Sequence, residues 1–280
     1  MNDIVIVRGG GDIATGVIQK LYRSGFKVIV TEINNPTSIR RKVCLSEAIY
    51  EGEVRVENLV GVYSESLKDI MNAWHNNKIP VLKDPKVRIL KDINVTAIID
   101  ATLSKRNIGT NKCMAPITIA LGPGYVGGQD VDVVIETQRG HNLGTLVFQG
   151  EASKNTGIPG IIKGYGIERV IYSPCEGKLK IIKDIGEVVN KGDVICLVND
   201  SNVYATIPGV LRGMIRDGLY VKKGLKIADI DPRMTEFENC NRVSDKARNI
   251  GGATLEALMY MKNIKGGYVY GREIAEKNIR

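Results

Sequence analysis

The apolar positions at the start of the chain run without a break and then space out. Ile4, Val5, Ile6 and Val7 are consecutive, the pattern of a strand buried on both faces. After Arg8-Gly9-Gly10-Gly11-Asp12, the residues Ile13, Val17, Ile18 and Leu21 recur at helical spacing, which predicts a helix to about Ser24. Gly25 ends that helix, and residues 27–30 predict a second strand running into Thr31 and Glu32. Strand, glycine turn, helix and strand make one βαβ unit. Further on, Leu67, Ile70, Met71 and Trp74 predict a helix over residues 66–76. Residues 79–82 predict a short strand that Pro80 places on an edge. Residues 95–100, 117–121, 131–135 and 145–148 predict further strands. The spacing of Leu255, Leu258 and Met259 predicts a last helix, capped by Ser244 and running to about Met261. Gly251 and Gly252 lie inside it, at a cost of about 2 kcal/mol against alanine, so close packing or a ligand should offset them.

Between these stretches the chain repeats itself. Residues 173–198 align with 205–230 at an offset of 32. Gly177 matches Gly209, Leu179 matches Leu211, Lys180 matches Arg212, Gly186 matches Gly218 and Gly192 matches Gly224. Neither short β unit can bury a face alone, so the two should pack on each other with pseudo-two-fold symmetry. The spacing is that of lipoyl and biotinyl carrier barrels. A carrier needs a lysine at the hairpin between its halves, and no lysine occurs between Gly192 and Val221, so biotin or lipoate attachment is excluded there. The expected architecture is α/β: a Rossmann-like parallel-sheet domain over 1–160, a lipoyl/biotinyl-like barrel over 161–233, and a helical segment over 234–280.

The candidate chemistry begins at the first turn. Gly9, Gly11 and Ala14 fit G-x-G-x-x-[GA], with Gly10 between the first two. Such a turn lets backbone approach a pyrophosphate at a helix N-terminus, and Glu32 stands where an acid would hold a ribose. Asp12 opposes a phosphate there and is equally a helix cap. In parallel sheets ligands bind beyond the C-terminal strand ends. Asp100, Thr102, Ser104, Lys105 and Arg106 follow one such end, and Gly122 and Gly124 follow another. Glu136, Arg139 and His141 bring an acid, a cation and an imidazole into one loop, a candidate catalytic cluster or a simple brace.

Composition narrows the choices. The 280 residues carry 39 Lys and Arg against 31 Asp and Glu, a net charge of +8 that favours anionic partners. Three Phe and one Trp leave little for base stacking, and nucleic acid is not expected. Only His75 and His141 are available, which excludes a multi-histidine metal site, and no metal is expected. No apolar run reaches membrane length, and no signal pattern is seen, so a cytoplasmic protein that does not enter a membrane is expected. The five cysteines form no CxxC pair. Cys240, with Cys175 and Cys113 behind it, is the candidate for a sulfur ligand or relay.

Six stretches in fixed order then carry a resemblance: GGGDIATG, DATLSKRN, APITIALGPGYVGGQDVDVVIETQRGHNLG, NTGIPG, GLKIADIDPR and SDKARNIGGATLEA. Together they resemble the selenium-dependent molybdenum hydroxylase accessory family (YqeB type), over nearly the whole chain. The resemblance implies a maturation protein that binds molybdopterin, or a dinucleotide, and delivers or modifies it for a client molybdenum hydroxylase. An anionic cofactor suits both the glycine turn and the net charge. Two alternatives stay open: an NAD(P)-dependent oxidoreductase that uses Glu32, and a non-catalytic scaffold whose second domain docks on the client hydroxylase; whether the chain forms a homo-oligomer is also open.

Overall fold

The computed structural model describes residues 3–157 and 159–265. Ile158, within the NTGIPG stretch, and the part of the expected C-terminal segment after residue 265 lie outside the described residues.

The first lobe is built on one nine-stranded sheet. Its elements are β1 (Ile4–Arg8), α1 (Asp12–Arg23), β2 (Lys27–Glu32), α2 (Ala48–Glu51), β3 (Glu53–Val56), β4 (Leu59–Tyr63), α3 (Leu67–His75), β5 (Ile79–Lys83), β6 (Ala97–Asp100), β7 (Ile117–Leu121), β8 (Val126–Gly127), β9 (Val133–Ile135), β10 (Leu146–Val147) and β11 (Gly150–Glu151). The sheet order is β10-β9-β7-β6-β1-β2-β5-β4-β3, with β8 and β11 paired apart from it. The alternation within β1 decides the layers: Val5 and Val7 face a core that holds α1, while Ile6 faces another that holds Ile70 of α3. Both faces are therefore covered, as continuous apolar strands require.

The expected wholly parallel Rossmann-like sheet is corrected by the strand pairing. β3 runs antiparallel to β4, and β10 antiparallel to β9, so the sheet is mixed. No crossover helix follows β6 or β7. That layer is filled from the far end of the chain by a long helix, Asp245–Lys265, which packs on α1, β7 and β9. Pro80 is also not on an edge. β5 lies between β2 and β4, and its ladder with β2 starts only at Val81, so no bond to β2 is asked of the missing N–H.

The second lobe holds β12 (Val170–Tyr172), β13 (Gly177–Ile181), β14 (Val188–Val189), β15 (Val194–Val198), β16 (Ser201–Tyr204), β17 (Gly209–Met214), β18 (Tyr220–Val221) and β19 (Lys226–Asp231), and the long helix is α4. The strands form two sheets, β12-β19-β17-β14 and β16-β15-β13-β18, around one core. An offset of 32 carries one sheet onto the other. Val188 pairs with Val210, and Tyr220 pairs with Lys178, so each copy lends its short strand to the other copy's sheet. Among the described residues no pairing closes one sheet onto the other, and the expected lipoyl/biotinyl-like barrel is corrected to two open sheets.

The symmetry fails at one residue. Lys180 pairs with Leu197 in regular register and is exposed. Its counterpart Arg212 is the extra residue of a β-bulge: Leu211 pairs with Ile230 and Gly213 with Asp229, leaving Arg212 between them. A bulge re-aims a side chain. This one turns Arg212 toward the junction of the lobes.

Residues 39–51 strap the lobes together. Met214 N donates to Ile39 O (2.8 Å), Arg41 Nε to Met214 O (2.8 Å), and Lys42 Nζ to Ile185 O (2.6 Å). Arg216 pairs with Glu47 at 3.0 Å and lies over the Tyr50 ring. On the other side, α1 and α4 cross at Gly16 and Gly251. A Cβ on either glycine would run into the other helix's backbone, at Ala247 for Gly16 and at Gly16 for Gly251. Gly251 thus allows close helix packing. Gly252 meets nothing within 4 Å.

Candidate functional site: an arginine-lined cleft between the lobes

The glycine turn is covered by the protein itself. Gly10 N donates to Glu32 Oε1 at 2.7 Å, and Ile33 N donates to the other carboxylate oxygen at 2.9 Å. Glu32 therefore sits where an anionic ligand would meet the turn. Burial raises its pKa, against those two hydrogen bonds. Ser46 N donates to Gly10 O (2.9 Å), and a Cβ on Gly10 would stand 2.8 Å from Ser46 N. Gly9 packs on the Ala101 backbone, Gly11 faces Ser38, and Ala14 is in the core. These small residues permit packing of chain on chain, and Glu32 is spent on the backbone rather than on a ribose.

The next strand end is equally self-contained. Asp100 is fully buried and accepts from Arg8 (3.0 Å), Thr110 (2.6 Å), Tyr125 (2.8 Å) and both the N–H and hydroxyl of Thr102. Every lone pair of a carboxylate can be used this way, and such a network rigidifies the loop it holds. Gly122 and Gly124, both at positive φ, let that loop pass close by Thr137 and Arg106. The third expected cluster is not a cluster. Glu136 is buried and accepts from Gln138 N and Ser153 N, both at 2.7 Å. Arg139 turns to Asp245 at the start of α4, and His141 is exposed. Cys240 is packed in the core of the second lobe, and burial pushes its thiol up, away from the thiolate a sulfur relay needs.

A cleft of about 540 Å³ opens between the strap, the second lobe and the α4 N-terminus. Six arginines line it: Arg40, Arg139, Arg169, Arg212, Arg233 and Arg242. The acids on its wall are Glu236 and Asp245. Some of these cations are satisfied by partners. Arg233 holds Asp231 with two bonds (2.9 and 2.8 Å), and Arg169 donates to Ile230 O and Gly160 O. Others are not. Arg212 reaches Asp229 only at 3.6 Å, beyond hydrogen-bond length. Burial, then the neighbouring Arg40, lowers its pKa. Arg40 is 6% exposed, and its Nε has no partner in the structure, although its other nitrogens reach Asp12 (2.9 Å), Asn239 O and Arg242 O. A buried guanidinium nitrogen without an acceptor is costly, and this one is closed off inside the strap rather than open to the cleft. The α4 N-terminus opens on the same space through Val243, Ser244 and Asp245, and the helix dipole adds potential of the same sign, although Val243 N donates to Glu57 and Ala247 N to Ser244 Oγ.

Beside it lies a second chamber of about 430 Å³, which shares Arg139 and Gly160 with the first. Lys105, Lys154 and Lys246 join Arg139 on its wall, and no acid among the described residues lines it. Burial, then the repulsion of Arg139, lowers the pKa of Lys246. Of the residues expected from the sequence, Arg139 and Lys105 are therefore brought to one cleft. Asp12 lies behind Arg40. Cys240 lies in the core of the second lobe and His141 on the surface, and the others stay in the packing of the first lobe. Arg40, Arg169, Arg212, Arg233 and Arg242 had no local signal. They come from five separate stretches, and only the repeat, through the Lys180–Arg212 match, singled one of them out.

No protein-family profile matches the chain. Solved structures that it resembles include an aspartoacylase family protein of Mesorhizobium loti, with a TM-score of 0.28 and 14% identity over 82% of this chain and 85% of that one. A succinylglutamate desuccinylase of Silicibacter gives a TM-score of 0.25 and 12% identity over 82% of this chain and 84% of that one. Likeness at these scores carries neither fold nor activity across. The chain is also 44% identical, over 260 residues, to the "Uncharacterized protein YqeB" of Escherichia coli K12, covering 93% of this chain and 48% of that protein. It thus spans about half the length of that curated relative. The relative's name assigns no activity and lends the molybdenum and selenium reading no support. What the match does support is a likeness consistent with a YqeB-type family.

Proposed function

We propose that the chain binds a phosphate-bearing small molecule in the cleft between its lobes and handles it as a maturation or delivery protein. The observation that carries this is the six-arginine wall, in which Arg212 has no acceptor within hydrogen-bond length among the described residues. Burial, and after it the neighbouring Arg40, lowers the pKa of Arg212, and an anion beside these cations offsets both costs. The cleft also draws its walls from both lobes, so a bound ligand favours the docked molecule by mass action.

The finer reading is that the ligand is the molybdenum cofactor and the partner a client hydroxylase. It rests on the motif resemblance. The cleft fits the phosphate end of such a cofactor, through Arg40, Arg212 and the α4 N-terminus. The described residues hold no group of three His, Cys, Asp or Glu near enough to share a metal ion, so the fit is to the phosphate. Binding, orientation and charge neutralisation are what these side chains can do.

Calorimetric titration of the purified chain with pyrophosphate, then with molybdopterin, tests both levels. Saturable binding of either, weakened about tenfold by Arg212→Ala, is the expected result. No binding of any phosphate compound at millimolar concentration overturns the proposal, and binding of pyrophosphate without molybdopterin overturns only the finer reading.

A further inference from the structure

The two chambers differ in a way that bears on the shape of the ligand. The larger mixes arginines with Glu236 and Asp245 and has the α4 N-terminus at its wall. The smaller offers Lys105, Lys154, Lys246 and Arg139 with no acid among the described residues, and its remaining wall includes the polar groups Gln138, Ser153 and Asn155. Lys246 is half-buried, and its amine makes no hydrogen bond or ion pair among the described residues. The chambers meet at Arg139 and Gly160. Arg139 is held at that junction by a two-bond pair with Asp245, both at 2.8 Å. It is therefore fixed between two separate groups of cations.

We infer that the smaller chamber is a second anion subsite, and that the cleft takes one elongated ligand with anionic groups at both ends. The inference rests on the reading that the larger chamber takes a phosphate. A ligand with a single phosphate would satisfy Arg212 and Arg40 and leave Lys246 and its neighbours facing one another. A second anionic group, carried on the same molecule across Arg139, neutralises them. Joining two weak sites in one ligand multiplies their affinities by an effective concentration, provided that the linker can span them. A diphosphate-linked or doubly phosphorylated organic molecule has the required chemistry, and a compact single phosphate does not.

Linear polyphosphates of defined length serve as the probe, titrated calorimetrically into the full chain. Pyrophosphate should bind the larger chamber alone, and a chain of about ten phosphates should bind at least tenfold tighter. Arg212→Ala should weaken both. The double variant Lys154→Ala, Lys246→Ala should weaken the long chain about tenfold and leave pyrophosphate unchanged. Lys68→Ala, on the exposed face of α3 and outside both chambers, should change neither and controls for loss of general charge. A long chain that binds no tighter than pyrophosphate, or that ignores the Lys154 and Lys246 changes, overturns the second subsite while leaving the first. If the Lys68 control weakens the long chain as much as the double variant does, the gain is general attraction and the subsite is again overturned. Failure of every anion to bind overturns the parent reading instead.

Discussion

At the scale of single residues, the cleft is a balance between cations that want an anion and acids that already supply part of one. Asp245 is the clearest case. The Arg139 guanidinium holds its carboxyl well below the usual carboxylate range, so it stays charged at any working pH. It competes with a ligand anion for Arg139. Asp245→Asn removes that competitor while keeping the side-chain shape, and should tighten pyrophosphate binding two- to fivefold. Exposed pairs contribute little to stability, and both side chains are more than half exposed, so the melting temperature should hardly move. A variant that binds more weakly would show that Asp245 orients Arg139 rather than competing for it. The cysteines make a second residue-scale test. Burial pushes Cys44 well up and Cys196 up to about 12, and it also raises Cys240. Cys113 is exposed. An alkylating reagent on the native protein should therefore label Cys113 first and leave Cys44, Cys196 and Cys240 intact, as peptide mass mapping would show. Fast labelling of Cys240 would restore it as a reactive thiol.

At the scale of elements, the two adjacent glycines of α4 have opposite meanings. Gly251 is where α1 crosses, and a methyl there must push the Gly16 backbone away. Gly251→Ala should destabilise by about 2 kcal/mol or more, by overpacking. Gly252 faces open space, so Gly252→Ala should stabilise by up to about 1 kcal/mol through helix propensity. Urea unfolding of the two variants checks the contrast, and equal signs would mean that the crossing is not rigid. Helix propensity calls for close packing or a ligand at this pair without fixing which glycine needs it, because period and propensity are one-dimensional and the partner helix lies over two hundred residues away. The same limit explains the rest. The βαβ start was legible because strand, turn and helix are contiguous. The repeat was legible because a fixed offset is a property of the string, and the exchanged strands β14 and β18 obey it. The mixed sheet was not legible, since an apolar run does not fix strand direction and the antiparallel pairs β3–β4 and β9–β10 look like any other strands; nor was the role of α4, which replaces crossover helices that the strand pattern merely implied. Nor was the cleft, for its arginines share no spacing. The glycine turn misled for a physical reason: G-x-G-x-x-[GA] reports close approach of something to backbone, and here that something is the 44–47 segment and Glu32.

At the scale of the whole molecule, the cleft exists only while the lobes are docked, and docking leans on the pair Arg216–Glu47. Glu47 is 5% exposed, with one oxygen that has no partner, and burial raises its pKa despite the nearby Arg216. Arg216 lines neither chamber. Arg216→Ala thus removes no ligand contact but strands a buried carboxylate, which costs about 2 to 4 kcal/mol for a pair this deeply set on one side. Two consequences should appear together. Pyrophosphate should bind more weakly, because the apparent affinity falls with the docked fraction, and saturating ligand should recover stability by about 2.7 kcal/mol at a hundredfold excess over its dissociation constant. The pH dependence has a definite sign. A carboxylate whose folded pKa is raised costs stability in full above that folded value, and the cost fades as the pH falls toward the ordinary 4.5. Without Arg216 the rise is larger. The gap in unfolding free energy between Arg216→Ala and the unaltered chain should therefore be widest near neutrality and shrink on acidification, and Glu47→Gln in the same variant should narrow it at pH 7. A gap that stays constant with pH would mean that Arg216 stabilises the docked lobes through its stacking on Tyr50, at 4.5 Å from the ring centroid, and not by pairing Glu47. The strap would then hold the cleft by packing, and ligand affinity should follow Tyr50→Leu instead.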